Sequence, residues 1–179
     1  MLQTKIWHLK TVKFANNISK TVKIAFLWLV FACATQVEAA EITYFYDGDT
    51  VKVADSTGEY KLRLSDIDAP EGNQSHGKIA RRALMRLCKN ADVKVQLISM
   101  DKYFRYLGKI QCNGQDVSGF MVQNGHAWVN TYYQNDAVLI ADFQNAQQQK
   151  LGLWSAEKPT PPWIWRKQQR QKTNYTFLN

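Results

Sequence analysis

Histidine and cysteine are scarce in this chain of 179 residues. There are three of each: His8, His76 and His126, and Cys33, Cys88 and Cys112. No two of them have the spacing of a zinc site, which disfavours zinc chemistry and a mechanism led by histidine. Three cysteines are too few for a fold built on disulfides. A Gly-rich phosphate loop and a Gly-x-Ser-x-Gly elbow are both missing. No apolar run reaches the roughly 18–20 residues of a spanning helix, which excludes a polytopic membrane protein. What is present is ordinary for a folded domain: 45 % apolar residues, 21 % charged, nine Gly and four Pro. That composition excludes disorder, collagen and low-complexity arrays, and the length predicts one domain with tails.

Charge is unevenly placed. The net charge is +8, yet residues 40–157 hold 13 bases and 14 acids and are close to neutral. Residues 1–39 carry five Lys and one acid, and residues 158–179 carry five bases (Lys158, Arg166, Lys167, Arg170 and Lys172) and no acid. The first 39 residues read as a secretory signal: Lys20 and Lys23 precede an uncharged apolar run from Ile24 to Ala34, and Val37-Glu38-Ala39 offers small residues for cleavage. An uncleaved anchor and lipidation at Cys33 are the alternatives. A cleaved signal puts the mature chain, from about Ala40, in the periplasm or the medium, where disulfides persist and calcium is plentiful. No membrane association is expected after cleavage. Nothing in the sequence points to an interface, so a monomer is expected.

The mature chain reads as strands followed by helices. Ile42–Tyr46 and Thr50–Val53 flank the turn Asp47-Gly48, and Tyr60, Leu62 and Leu64 alternate with polar residues. Ile79, Ala80, Ala83, Leu84 and Leu87 predict one face of a helix. Val93–Leu97 and Leu107–Cys112 read as strands, Val117–Asn124 as a short helix, and Leu139, Phe143 and Ala146 as a third helix ending near Gly152. Pro159, Pro161 and Pro162 predict that 158–179 is an extended basic tail, adding affinity for polyanions without chemistry. Five strands and three helices fit a small closed barrel with helices on its flanks.

Acids gather at two turns, Asp47-Gly48-Asp49-Thr50 and Asp66-Ile67-Asp68-Ala69-Pro70-Glu71. If the turns meet, their carboxylates form an oxygen-lined pocket suited to calcium. Arg63 lies just upstream of the second turn, and Arg105 lies in the polar loop Asp101-Lys102-Tyr103-Phe104-Arg105. Two guanidinium groups, a hard cation and a free carboxylate suit a phosphodiester: forked hydrogen bonds to its oxygens, neutralisation of developing charge, and a proton acceptor for water.

With these motifs in order, Asp47 to Val51, Arg63-Leu64, Asp68 to Glu71, Asp101 to Arg105, and Leu151-Gly152-Leu153-Trp154, the chain resembles the thermonuclease family, the staphylococcal-nuclease-like nucleases, over about residues 42–155. Pro161-Pro162-Trp163-Ile164-Trp165-Arg166 is similar to the tail of bacterial members. The resemblance implies an α+β OB-fold, a five-stranded Greek-key barrel with three flanking helices. It implies calcium held by Asp49, Asp68 and the Ala69 carbonyl, with Asp47 ordering metal-bound water. Glu71 matches the general base, and Arg63 and Arg105 match the phosphate-binding arginines. Lys102, Tyr103 and Tyr133 match nucleotide contacts. The implied activity is calcium-dependent hydrolysis of DNA and RNA, on single strands or frayed ends, leaving a 3′-phosphate. The competing reading is a nucleic-acid-binding OB module with weak or lost catalysis.

Two features stand beside the resemblance. Phe104 occupies a place where relatives usually have Gly, so a positive φ there would strain the loop and could displace Arg105. Cys33 leaves with the signal, so Cys88 and Cys112 remain, and related bacterial members often carry a similar pair. A disulfide is expected, with two buried thiols as the alternative.

Overall fold

The computed structural model describes residues 40–130 and 136–178. The signal segment and Tyr133 therefore lie outside the described residues. Among the described residues, eight strands run in chain order: β1 (Glu41–Phe45), β2 (Thr50–Asp55), β3 (Gly58–Leu64), β4 (Ile67–Asp68), β5 (Val93–Met100), β6 (Tyr106–Cys112), β7 (Gln115–Asp116) and β8 (Trp128–Val129). The helices are α1 (Gly77–Cys88), α2 (Val117–Gln123), α3 (Ala137–Gln148) and α4 (Pro162–Leu178), with a 3₁₀ turn at Gly152–Ser155.

The main sheet has the order β1-β2-β3-β6-β5, with β7 on β6, and β4 pairs with β8 in a separate ribbon. The β3–β6 pair is parallel and the others are antiparallel. The tight β2–β3 hairpin is set by chemistry within its turn: Thr57 donates its amide (2.8 Å) and its hydroxyl (2.6 Å) to Asp55 Oδ1, and Gly58 supplies φ +121°. Ala40, just before β1, forms an isolated bridge with Val93 at the start of β5, so the closed five-stranded barrel of the sequence reading is an open sheet whose two edges are linked at that one point. Bulges between Ile42 and Tyr44 and between Leu97 and Ser99 bend those two strands.

Alternation on the strands builds the core. Val51, Val53, Leu62, Leu64 and Ile110 are fully buried, and each contributes roughly 1.5–3 kcal/mol of apolar transfer. Helix α1 covers them with Ala80, Ala83, Leu84 and Cys88, while Ile79, placed on that face by its spacing, is exposed. Cys88 and Cys112 form a disulfide with Cα atoms 5.2 Å apart, joining α1 to β6.

The largest departure from the sequence reading is the C-terminal segment. It is a 17-residue helix, not an extended tail. Pro162 stands at the first helical position, where its fixed φ suits the helix and its missing N–H leaves nothing unpaired. The Pro161 carbonyl accepts from Ile164 (3.1 Å) and Trp165 (3.0 Å). The prolines that read as breakers thus start a helix, and no Gly or Pro follows to stop it.

Candidate active site

The two acidic turns meet, because glycine lets them. The first joins β1 to β2, and a Cβ on Gly48 would lie 2.8 Å from both Ala69 Cβ and Ala80 Cβ. Only a hydrogen fits there, so Gly48 draws the first turn against the second and against α1. Gly77 does the same for the second turn, where a Cβ would strike the Glu71 carbonyl at 1.8 Å. The Leu64 amide donates to the Asp49 carbonyl at 2.8 Å, fixing the first turn to the end of β3.

Asp49 is buried and fully partnered. Its Oδ2 accepts from the Ala69 amide at 2.7 Å, and its Oδ1 accepts from the Thr50 hydroxyl at 2.8 Å and from Arg63. Arg63 extends its other nitrogen to Asp68 Oδ1 at 2.8 Å. One guanidinium therefore joins the two acids assigned to calcium. Burial works against the charge on Arg63, but Asp49 and Asp68 outweigh it and hold the group charged. Asp47 accepts from the Asp49 amide at 3.0 Å, and burial together with the Asp49 charge pushes its carboxyl up to about 7.

Arg105 is held on its own loop. Asp101 Oδ2 accepts from Arg105 Nε at 2.8 Å and Nη2 at 2.7 Å, and Asp101 Oδ1 accepts from the amides of Tyr103 and Arg105. Phe104 does adopt a positive φ, 58°, with its side chain 86 % exposed. Arg105 is not displaced: it lines the pocket, because Asp101 grips it directly.

A pocket of about 560 Å³ opens over this ground. Asp47 and Glu71 supply carboxyl groups to its lining, and Lys61, Arg63, Arg105, Arg166 and Arg170 supply positive charge, with Tyr103 beside them. Glu71, Arg63 and Arg105 all lie in this lining. Lys102 stays on the outer loop, its ammonium 5.2 Å from the Tyr103 ring centroid.

The sequence reading missed Arg166. From α4 it reaches Asp68 Oδ1 at 3.0 Å, Asp68 Oδ2 at 2.8 Å and Glu71 Oε1 at 2.8 Å. These hydrogen bonds outweigh its partial burial and hold it charged. A signal existed: Arg166 directly follows Trp163-Ile164-Trp165, and tryptophans dock. Trp163 packs edge-on to Trp128 at 6.3 Å, and the Thr160 carbonyl accepts from Gln74 Nε2 at 2.6 Å. Also unforeseen is the stacked pair His76–His126, with ring nitrogens 3.0 Å apart, outside the pocket lining.

Among the described residues, no group of three or more His, Cys, Asp or Glu side chains is arranged to hold a metal ion. The donor chemistry still fits a hard cation, since carboxylates converge without thiolate or imidazole. In this arrangement Arg63 and Arg166 take the carboxylate oxygens that such an ion would use.

Paired acids and four arginines around an open pocket suit phosphodiester chemistry. The sequence pattern of the staphylococcal nuclease homologue family matches residues 61–156, and the chain belongs to that family. Its sheet and helices are the family's α+β, OB-like fold. An Escherichia coli protein named an uncharacterized endonuclease is 43 % identical over 121 residues, covering 67 % of this chain and 79 % of that protein. A protein of Shigella flexneri named micrococcal nuclease is 34 % identical over 174 residues, covering 91 % of this chain and all of the relative. A Haemophilus influenzae protein named an uncharacterized endonuclease is 30 % identical over 165 residues, covering 89 % and 92 %.

Proposed function

We propose that the protein is a secreted, calcium-dependent nuclease that hydrolyses DNA and RNA, with single strands and frayed ends preferred. The observation that carries this reading is the convergence of Glu71, Arg63 and Arg105 on one pocket beside the Asp47, Asp49 and Asp68 carboxylates. Family membership and the relatives' names support hydrolysis of nucleic acid.

Asp49, Asp68 and the Ala69 carbonyl would hold calcium, with Asp47 ordering its water. When bound, calcium neutralises charge that builds on the phosphate. Arg63 and Arg105 bind the phosphate oxygens, and each is held in place by an acid: Arg63 by Asp49 and Asp68, Arg105 by Asp101. Glu71 takes the proton from attacking water, in line with a departing 5′ oxygen, which leaves a 3′-phosphate. Tyr103 and Lys102 contact the nucleotide, as does Tyr133. Tyr46, exposed beside Asp47, adds a ring on which an unpaired base can stack, and Lys61 lies 4.0 Å from its centroid. That surface supports the preference for single strands. The signal-like sequence pattern at 1–39 and the disulfide, which persists in oxidising compartments, support export.

Cleavage of a single-stranded oligonucleotide, with calcium and then with chelator, tests the reading. Activity should require calcium, and Glu71→Gln should lower kcat by roughly 10²–10⁴-fold. Binding without cleavage at any calcium concentration would support the alternative of a binding module.

A further inference from the structure

Arg166 reaches into the acids on which the proposed chemistry depends, from a helix that lies beyond the family match at 61–156. Its fork takes both oxygens of Asp68 and one of Glu71. Arg63 already holds Asp68 Oδ1. A carboxylate has about four lone-pair sites, so three on Asp68 are committed, two of them by Arg166. A divalent ion that binds Asp68 needs the same lone pairs and repels the same guanidinium.

We propose that Arg166 is a resident counter-ion of Asp68 and Glu71 that a divalent cation must displace, so that α4 is a metal-responsive wall of the pocket. This rests on the calcium reading above. The geometry shows how an exchange can occur. The start of α4 is anchored by the Pro161 carbonyl, by the bond between Gln74 and Thr160, and by Trp163 against Trp128. Arg166 sits one turn past that anchor and is a third exposed, so rotation of its long side chain releases both acids while the helix stays seated. Arg63 differs, being locked between Asp49 and Asp68 and half as exposed.

Two consequences follow for the proposed reaction. While Arg166 holds Glu71, one of its two carboxylate oxygens is committed to the guanidinium and is closed to an attacking water. Displacement frees Glu71 at the same moment that Asp68 is filled, which couples activation of the base to loading of the ion. The released guanidinium stays within the pocket beside Arg170, one turn further along α4 and also in the lining. It then faces the side where an anionic strand would lie.

The test is a calorimetric titration of calcium into the full mature chain and its Arg166→Gln and Arg166→Lys variants, with folding checked by circular dichroism. Arg166→Gln should bind calcium about tenfold or more tightly than the parent, because the competing charge-assisted bonds are gone. Arg166→Lys should fall between, since an ammonium cannot fork across Asp68. Without calcium, Arg166→Gln should melt lower than the parent, and saturating calcium should close the gap. In the parent, the Arg166 Nε–H resonance should shift as calcium is added. A clip with no link to the ion predicts instead unchanged or weaker calcium affinity in the variant and a resonance that does not move, and either result overturns the proposal. If Arg166→Gln does not fold, Arg166→Lys decides: affinity equal to the parent's overturns it. If the parent and both variants bind no calcium while cleavage continues in chelator, the calcium reading itself fails, and Arg166 is a permanent substitute for the ion.

Discussion

Two arginines meet at Asp68, and they come from different kinds of structure. Arg63 lies on β3, five residues before Asp68, and its position follows from strand register and a tight turn. Arg166 comes from a helix 98 residues away in sequence. Arg166 forks across both oxygens of Asp68, whereas Arg63 gives it one nitrogen and Asp49 the other; Arg63 is mostly buried, and Arg166 is partly solvated. The difference separates a framework cation from an exchangeable one, because a buried pair cannot be opened without stranding charge, whereas a partly exposed pair gives its charges to water or to an ion.

The largest expected effect tests that contrast directly. Arg63→Ala leaves Asp49 buried and without its guanidinium, so stability should fall by about 3–5 kcal/mol. Arg166→Ala should cost no more than about 1–2 kcal/mol, since its pairs are partly solvated. Urea unfolding of both variants checks this, and equal losses would break the distinction.

The disulfide belongs to the framework side. It closes a loop between Cys88 and Cys112, 24 residues apart, that carries Asp101 to Arg105. Replacing both cysteines by Ser should cost about 3 kcal/mol in the chain-entropy account. The loss should appear in the unfolding midpoint, while calcium affinity, governed by Arg166, stays nearly unchanged. A large change in affinity would show that the two sides are not separable.

Smaller effects come from pH. In chelator, Asp47 keeps its proton to about 7 in the fold, against 3.8 as its ordinary value. Folding then takes up a proton across that window, so stability falls as pH rises from about 4 toward 7. His126 works the other way. Burial, with help from His76 and Arg86, pushes it down to about 4 from 6.5, so its contribution is complete above 6.5 and is lost as pH falls toward 4. Asp47→Asn should remove the first slope and leave the second, raising stability near neutrality by about 1–2 kcal/mol. Thermal melting between pH 4 and 8 resolves the two.

The smallest effect concerns Phe104. Its exposed ring makes no core contact, and its φ of 58° favours glycine. Phe104→Gly should stabilise by up to about 1 kcal/mol and leave KM for an oligonucleotide within about twofold, because Asp101 already fixes Arg105. A large fall in KM would show that strain at Phe104 does reach the phosphate-binding side.

Much of this site was legible along the chain. The acidic turns, Arg63 and the Asp101–Arg105 loop are local motifs whose geometry comes from a few neighbouring residues: Asp-Gly turns, an Asx loop and period-two strands. Charge alternation along β3 was enough to send Leu62 and Leu64 inward and to leave Arg63 at the site. The contacts of Arg166 with Asp68 and the His76–His126 pair were not legible, because each joins residues 50 or more positions apart that meet only in space. The prolines illustrate the limit: local rules allow Pro161-Pro162 either to break a chain or to begin a helix.

The sequence by itself determined which chemistry this protein can carry. Carboxylates and guanidinium groups at tight turns, with neither thiolate nor imidazole beside them in the motifs, suit a hard cation and a phosphodiester. The tertiary structure decided who holds whom. Packing of Trp163 on Trp128 and of Gly48 on Ala69 and Ala80 brings α4 and both turns to one place. There an arginine from the far end of the chain competes for Asp68 and Glu71, because hydrogen-bonded charge recognises distance in space and not separation along the chain.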